Sequence, residues 1–345
     1  MKKKYIFLGL ACVLGALFLG GVLSAGARSQ WFGLEQMKQE AETVLPREDV
    51  AYRYVYEWDP EETPVKGLDV SWINGSVTLS CWEGATVRIT ESCAGADLHN
   101  EDKLKLSSSG GVLKIGWNKR LVSLAVLENR RKDLEIQVPQ TLRGQLFKLI
   151  RCENTSGEIT LEEVFAAEKL VLASSSGRIR VMEGFTGSSA DISTTSGEIQ
   201  LWNVDLAEEL KVRSVEGNAN ALDCACGKAT FKNSSGWVHF SGMVHPGEEA
   251  EGIAADTVTG KVLLELSKMP GKTEVRSVSG EVELTLPREA GFTLDYETVS
   301  GMLQDRVGLA PGTGEHRFIC GSGEAAMSVA TTSGGLTLQH VLAED

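Results

Sequence analysis

The sequence predicts an all-β protein, a single-stranded β-solenoid with rungs of about 20 residues, preceded by an N-terminal transmembrane helix or signal sequence. Three observations predict this fold class. A Ser-Gly motif recurs at a nearly constant step, aliphatic residues alternate on both sides of each copy, and an uncharged run follows three lysines at the N-terminus.

The composition is typical of many short strands joined by tight turns. The chain has 345 residues with 37 glycines and 8 prolines, and 42% hydrophobic and 23% charged residues are typical of a folded chain. The net charge of −13 excludes nucleic acid as an expected partner, because binding to phosphates needs a basic face.

Residues 1–27 have the pattern of a signal-anchor or a signal peptide. Three lysines precede Tyr5–Ala27, an uncharged run as long as a membrane span and longer than the usual core of a secretory signal. The lysines predict a cytoplasmic N-terminus, and hence a single-pass membrane protein with an extracytoplasmic C-terminal domain. Ala25-Gly26-Ala27 also fits a cleavage site, so secretion after cleavage near Ala27 stays open as the alternative.

Residues 28–64 are interpreted as a juxtamembrane helix and linker, and residues 65–342 as the β-solenoid repeat domain. Apolar residues recur near helical spacing between Trp31 and Leu45, and Pro46 ends that pattern. The segment 59–64 (DPEETP) is a turn-rich break before the repeat domain.

The strongest signal is the repeated unit Ser/Thr-x-Ser-Gly-x-aliphatic-x-aliphatic. It reads NTSGEITL at Gly157, SSSGRIRV at Gly177 and TTSGEIQL at Gly197, with a degenerate copy at Gly217. We interpret each glycine as a structural corner, because glycine adopts turn conformations that are closed to most other residues. The predicted corner glycines are Gly75, Gly111, Gly157, Gly177, Gly197, Gly217, Gly236, Gly260, Gly280, Gly301 and Gly334.

The columns around each glycine predict two strands in each rung. Positions two and four residues after the glycine are aliphatic in most copies, as are positions seven and five residues before it. This alternation leaves each strand one apolar face, which stacking of the rungs would bury. The position three residues before the glycine is small and polar, as at Asn154, Ser174 and Thr194, and we expect these side chains to hydrogen-bond along their column as well as to nearby backbone.

Three further segments carry a family resemblance. They are Leu68-Asp69-Val70, the segment 133–139 (DLEIQVP), and the stretch 284–301 with its LTLP and TVSG motifs. With the repeats, they make residues 65–342 resemble the bacterial putative-adhesin family of β-strand repeat proteins of unknown function, related to adhesin head domains. The resemblance implies a membrane-anchored or secreted protein with a surface or envelope role and no catalytic residues. Relatives in envelope-stress gene neighbourhoods imply a regulatory alternative. The basic insert 118–132 and the rung at Gly217 depart from the family pattern.

The residue patterns predict neither an enzyme nor a bound cofactor or metal. A polysaccharide-active β-helix needs carboxylates that converge from neighbouring rungs. The best acidic column lies six residues after the glycine, and we interpret it as solvated corner residues in preference to a calcium site. Its members are Glu163, Glu183, Asn203 and Asp223.

Trp202 and Trp237 are the candidate partner-contact residues. Trp237 lies in the outward column directly after a glycine, and Trp202 lies two rungs earlier. Exposed aromatic side chains stack on sugars or on protein partners, and edge or corner packing is the alternative.

Six cysteines lie outside the N-terminal run. Cys152 and Cys224 occupy apolar columns and are expected to be buried as free thiols. A disulfide between Cys81 and Cys93 remains an alternative for an exported domain.

We therefore expect a non-enzymatic cell-surface or envelope protein, an adhesin or interaction scaffold that binds a protein or a glycan. The expected partners are the membrane, through the N-terminal anchor, and that protein or glycan. The alternative is an envelope-stress accessory protein that acts with a membrane partner, and a polysaccharide-active β-helix enzyme is the minor alternative.

Overall fold

The computed structural model describes residues 52–93, 98, 102–117, 131–163, 165–245, 252–314 and 316–341. The predicted anchor or signal (1–27), the predicted helix with most of the linker (28–51) and most of the basic insert (118–130) lie outside these residues. Among the described residues, no helix is both long and apolar enough to cross a membrane. The one helical element described there is a 3-10 turn, η1 (Gln140–Leu142).

The described residues form a 27-stranded sheet, which confirms the prediction of an all-β repeat. Most strands belong to two parallel ladders, named here for their position relative to the corner glycines. The pre-glycine ladder contains, in spatial order, β6 (Val112–Gly116), β2 (Gly67–Asn74), β8 (Phe147–Ser156), β10 (Phe165–Ser176), β12 (Phe185–Ser196), β14 (Val204–Glu216), β16 (Lys228–Ser235), β18 (Gly252–Thr259), β20 (Lys272–Ser277), β26 (Ala325–Thr331) and β22 (Phe292–Glu297).

The post-glycine ladder runs beside it in the same order of rungs. It contains β7 (Lys132–Pro139), β3 (Val77–Trp82), β9 (Ile159–Leu161), β11 (Ile179–Val181), β13 (Ile199–Trp202), β15 (Ala219–Cys226), β17 (Val238–Val244), β19 (Val262–Leu266), β21 (Val282–Leu286), β27 (Leu336–His340) and β23 (Leu303–Asp305). A rung is therefore one strand of each ladder joined at a corner.

The order of the rungs departs from the order of the chain at both ends. The rung of β2 and β3 lies between the rung of β6 and β7 and the rung of β8 and β9. At the other end, the rung of β26 and β27 lies between the rungs of β20–β21 and β22–β23. A 20-residue repeat does not encode this exchange, because it depends on pairing between distant segments.

Antiparallel strands cover part of the outermost rungs. On the first rung, β5 (Lys105–Ser109) pairs with β6, while β4 (Val87–Cys93) pairs with β7 and is covered in turn by β1 (Tyr52–Trp58). On the last rung, β25 (Arg317–Cys320) pairs with β22, and β24 (Ala310–Pro311) pairs with β25. These strands occupy edges that would otherwise be open to pairing with another chain.

The corner glycines other than Gly111 form one column. A Cβ atom on any member would lie less than 3.0 Å from a backbone carbonyl oxygen of the adjacent rung, a distance that real Cβ atoms essentially never show. For Gly157 and all later members, that oxygen belongs to the glycine of the neighbouring rung, and for Gly75 it belongs to Lys132. The close approach of backbone to backbone therefore requires glycine at this corner.

Gly111 lies elsewhere, and its assignment as a rung corner was wrong. Gly110 and Gly111 have φ angles of +62° and +80° and form the two-residue turn between the antiparallel strands β5 and β6, with Ser109 opposite Val112. Positive φ at both positions matches the favoured turn of a two-residue hairpin. The motif SSSGG resembles the corner motif, but here both of its glycines form a hairpin turn.

The core lies between the two ladders. Aliphatic residues two and four positions after the glycines are fully or almost fully buried in every rung but the last, as at Ile159 and Ile179. In the last rung, Leu303 is half-buried. The residues seven and five positions before the glycines face them, and Cys152 and Leu172 are also buried. Each fully buried aliphatic side chain contributes about 1.5 to 3 kcal/mol relative to exposure, so the stacked columns are the main source of stability.

The buried polar column bonds to nearby backbone at several rungs, as predicted, and along the column at one pair of the described rungs. Asn154 and Asn233 each donate a side-chain hydrogen bond to the corner-glycine carbonyl of the preceding rung, at 2.7 and 3.1 Å. Within the described part of the chain, the buried hydroxyls of Ser174, Thr194 and Ser214 have no hydrogen-bond partner. Equivalent atoms in successive rungs lie about 4.8 Å apart, which exceeds hydrogen-bond length. A direct bond along the column does occur at 2.9 Å between the hydroxyls of Thr298 and Thr331.

A buried ion pair holds the cap of the first rung. Lys132 Nζ lies 2.5 Å from Glu91 Oε1 and 4.0 Å from the ring centroid of Trp117, and both charged side chains are almost completely buried. Lys132 Nζ also donates to the carbonyl of Asp102, and Glu91 Oε2 accepts from the N–H of Leu104. These bonds join β4 and β7 to the segment that enters β5.

Replacing a member of the glycine column tests the close contact between rungs. We expect Gly217→Ala to lower the free energy of unfolding by about 3 kcal/mol or more, because its Cβ would strike the Gly197 carbonyl and its φ is +122°. Gly144→Ala is the matched control, since nothing lies within 4 Å of its Cβ position. Urea denaturation followed by circular dichroism measures both, and equal midpoints would contradict the contact.

Removing one partner of the buried ion pair tests the cap. We expect Lys132→Met to cost about 3 to 5 kcal/mol because Glu91 would remain buried without its counter-charge, and the double variant K132M/E91L to recover much of that loss. Arg53→Gln, which breaks the exposed pair with Glu135, should cost less than about 1 kcal/mol. Denaturant melts of the four proteins make the comparison, and a K132M midpoint as high as that of R53Q would refute the role of the pair.

Candidate functional site

The outward side of the post-glycine ladder carries two exposed tryptophans. Side chains alternate along a strand, and the positions two and four residues after each glycine are buried, so positions one, three and five face outward. Trp237 directly follows Gly236, and Trp202 is the fifth residue after Gly197. Their exposed fractions are 61% and 48%, so both rings are open to a partner. We call this surface the tryptophan face.

The spacing of the two tryptophans follows from the rungs. One rung, that of Gly217, lies between the rungs of Trp202 and Trp237. With strands 4.8 Å apart and a rise of 3.3 Å per residue, the two backbone positions are about 16 Å apart on a diagonal. The tryptophan face is therefore long enough to contact an extended ligand at two separate points.

Planar polar side chains lie between the two rings. Gln200, Asn220 and His239 are three residues after their glycines and pair in register across three successive rungs. Asn220 Nδ2 donates to Glu198 Oε1 at 3.3 Å, and His239 Nε2 lies 3.3 Å from Glu265 Oε2. The column presents the amide groups of Gln200 and Asn220, which can donate and accept hydrogen bonds, whereas His239 Nε2 is buried.

Neighbouring rungs support the Trp202 ring. Met182 and Leu222 precede and follow it in the same outward column, and Met182 is also exposed. Trp202 Nε1 donates to Asp223 Oδ2 at 3.3 Å, which orients the indole. Asp223 has a φ of +53°, as has Asn203 one rung earlier, and these two residue types tolerate that conformation better than most.

The backbone of Trp237 is held while its ring remains free. Its N–H donates to Asn218 Oδ1 at 3.0 Å, and its carbonyl accepts from the N–H of Ala219 at 2.8 Å. Several other rungs carry a charged residue in the same outward column, and Arg178 pairs with Glu198 at 3.4 Å. Such exposed ion pairs add little to the free energy of unfolding.

The acidic column is interrupted, and two of its members are engaged by neighbouring side chains. Glu163 lies 3.6 Å from Arg143, Asp223 accepts from Trp202, and Asn203 separates Glu163 and Glu183 from Asp223. Within the part of the chain that the structure describes, no group of three or more His, Cys, Asp or Glu side chains could hold a metal ion.

The six described cysteines are free thiols, so the alternative of a Cys81–Cys93 disulfide is not formed. Cys81 lies on β3 and Cys93 on β4, and these strands flank β7 on opposite sides. Two strand spacings of about 4.8 Å exceed the Cα separation that a disulfide bridges. Burial raises the pKa of the Cys224 thiol to about 11 and that of Cys226 to about 12, which makes these thiols poor nucleophiles and metal ligands.

Sequence reasoning identified the two tryptophans and missed the polar side chains between them. The signal was present, because Gln200, Asn220 and His239 share the column three residues after the glycine. That column varies in residue type along the chain, so only the register of three neighbouring rungs reveals a polar cluster.

Solved structures with low identity resemble the chain. A putative adhesin from Parabacteroides distasonis is 10% identical, with a TM-score of 0.47 over 84% of this chain and 97% of that chain. A putative lipid binding protein from the same organism is 11% identical, with a TM-score of 0.45 over 83% and 96%. A putative cell adhesion protein from Clostridium sporogenes is 14% identical, with a TM-score of 0.24 over 84% and 100%.

The family is established by sequence. A comparison with curated proteins finds no match. The model of the family described as Toastrack DUF4097 matches residues 76–339, which is most of the chain and contains the strands of both ladders except β2 and the last residue of β27. The chain therefore belongs to the Toastrack DUF4097 family.

Proposed function

We propose that this chain is a non-enzymatic β-solenoid of the cell envelope that binds a glycan on its tryptophan face. The observation that carries the proposal is the pair of exposed rings, Trp202 and Trp237, on one outward surface with planar polar side chains between them. Parallel pairing of rung on rung supports the solenoid, since each rung contacts only its neighbours.

The chemistry of the face fits a sugar chain. The apolar faces of pyranose rings stack on tryptophan, and the hydroxyls around the ring exchange hydrogen bonds with amides, imidazoles and carboxylates. Gln200 and Asn220 offer amide groups at the centre, and the rings lie at the two ends. A purely apolar protein partner would leave these polar groups desolvated without partners, which costs binding energy.

The carboxylates of the face support binding in preference to catalysis. Hydrolysis of a glycosidic bond uses two carboxyl groups that flank the bond, one of them as a proton donor. Here Glu163 is engaged by Arg143 and Asp223 by the Trp202 indole, which leaves Glu183 as the one acid of the column without such a contact among the described residues.

The location belongs to the same proposal. Residues 1–27 would hold the protein in the cytoplasmic membrane, with the tryptophan face outside the cell or in the envelope. We expect the full-length protein to stay in the membrane fraction after alkaline carbonate extraction. A mature N-terminus at Arg28, recovered from the culture medium, would refute the anchor and favour cleavage.

Substitution of the two tryptophans tests glycan binding. The probes are a panel of defined chito-, cello- and manno-oligosaccharides and soluble peptidoglycan fragments, titrated into the full-length protein in a polyoxyethylene detergent that carries no sugar. We expect saturable binding of at least one probe. We also expect W202A/W237A to bind it at least about tenfold more weakly, because each stacked ring contributes about 1 kcal/mol.

Leu146→Ala is the control for that experiment, because Leu146 is an exposed apolar residue outside the face, with a 54% exposed fraction. It should leave affinity unchanged. No binding across the panel, or equal affinity of W202A/W237A and the parent, would overturn the proposal. Capture of a purified envelope protein that is lost in W202A/W237A, with no sugar bound, would replace the glycan by a protein partner.

A further inference from the structure

Two described arginines form no ion pair with a described carboxylate. Among the described arginines, Arg288 and Arg306 are the two without a carboxylate within 4.0 Å. All the others have one: Arg53, Arg88, Arg131, Arg143, Arg151, Arg178, Arg180, Arg213, Arg276 and Arg317. Pairing is thus the rule in this acidic chain, and the two exceptions line the same cleft.

The exchanged rung order brings the two arginines together. β21, β27 and β23 are consecutive in the post-glycine ladder, and their C-terminal ends lie side by side. Arg288 comes two residues after β21, His340 ends β27, and Arg306 follows β23. The cleft at these three ends is lined by Arg288, Arg306, Gln339, His340 and Val341, and we call it the rung-end cleft.

Each of the two guanidinium groups donates one hydrogen bond to a neutral acceptor. Arg288 Nε donates to the Val341 carbonyl at 3.4 Å, and Arg306 Nη1 donates to Gln339 Oε1 at 3.3 Å. Gln339 is itself fixed, because its Nε2 donates to Glu283 Oε1 at 2.9 Å and to Thr285 Oγ1 at 3.2 Å. A guanidinium has five N–H donors, so most donors of both arginines remain for a ligand.

Two further polar groups at or beside the cleft are His340 and Asp305. His340 Nδ1 lies 3.2 Å from the Pro287 carbonyl, which can only accept, so Nδ1 donates and Nε2 can accept a hydrogen bond from a hydroxyl of a ligand. Asp305, the nearest carboxylate in sequence to Arg306, accepts from the backbone N–H groups of Val307, Gly308 and Leu309 at 2.8 to 3.0 Å. These three hydrogen bonds hold the Asp305 carboxylate within its own turn. Arg306 therefore has no counter-ion among the described residues.

We propose that the rung-end cleft binds a phosphate group. Two guanidinium groups that line one cleft suit a tetrahedral oxyanion, because each can donate two parallel hydrogen bonds to a different pair of oxygens. A carboxylate, with two oxygens, would engage only one of them fully. The rung-end cleft lies at the end of the stack, several rungs from the tryptophan face, so this site does not depend on glycan binding.

Titration with inorganic phosphate at constant ionic strength tests the site. The full-length protein in a non-ionic detergent should bind phosphate saturably in calorimetry, and R288Q/R306Q should bind it at least tenfold more weakly. The matched control is R53Q/R143Q, which removes the same charge from two exposed arginines that pair with carboxylates elsewhere. Because Arg306 is exposed, Arg306→Gln alone gives a second variant that we expect to fold and to lose at least threefold in affinity.

Two further probes identify the source of the phosphate. Dihexanoyl phosphatidate represents a lipid headgroup, and glucose 1-phosphate represents a soluble or polymer-borne sugar phosphate. Tighter binding of either one than of inorganic phosphate, lost in R288Q/R306Q, supports the site and assigns its source. The proposal is overturned if none of the three probes binds, or if R288Q/R306Q and R53Q/R143Q bind them equally.

Discussion

The close approach of backbone to backbone at the glycine corner is the constraint on which the rest of the structure depends. At each corner the place of a Cβ atom is already taken by a carbonyl oxygen of the adjacent rung. The chain can turn there only with glycine, and each rung is thereby held in register with its neighbours. The aliphatic columns then coincide between the ladders and bury one another, which supplies most of the stability.

That register also creates both candidate sites. Residues at equivalent positions of successive rungs become neighbours on the surface, so Gln200, Asn220 and His239 meet although they are distant in the chain. The same register places Trp202 and Trp237 on one face. At the end of the stack, the inserted rung of β26 and β27 brings His340 between Arg288 and Arg306. In this architecture, the side chains that form a site are those that share a column or lie at the same rung end.

The repeat made much of the fold predictable from the sequence, and long-range pairing made the rest unpredictable. The alternation around Gly157, Gly177 and Gly197 is local, so the all-β repeat and its buried columns follow from it. The exchange of rungs at both ends does not, because a period of about 20 residues is the same in either order. Gly111 was misassigned because a hairpin turn and a rung corner both favour glycine. The tryptophans were evident in their columns, whereas Arg288 and Arg306 meet only because of the exchanged rung.

The central claim is that interchangeable rungs hold the two tryptophans at a set spacing. Deletion of residues 203–222 tests it most directly, because Asp223 then takes the place of Asn203, which has the same φ of +53°. This deletion removes one rung, Asn220 included, and brings Trp202 and Trp237 closer by about 4.8 Å along the stack. Asn220→Ala in the parent is therefore the control that separates loss of the amide from the change in spacing. We predict a protein that still unfolds cooperatively with undiminished β circular dichroism per residue, and that binds the oligosaccharide of the parent at least tenfold more weakly. An unfolded chain would contradict interchangeable rungs, and a folded chain with unchanged affinity would contradict the spacing.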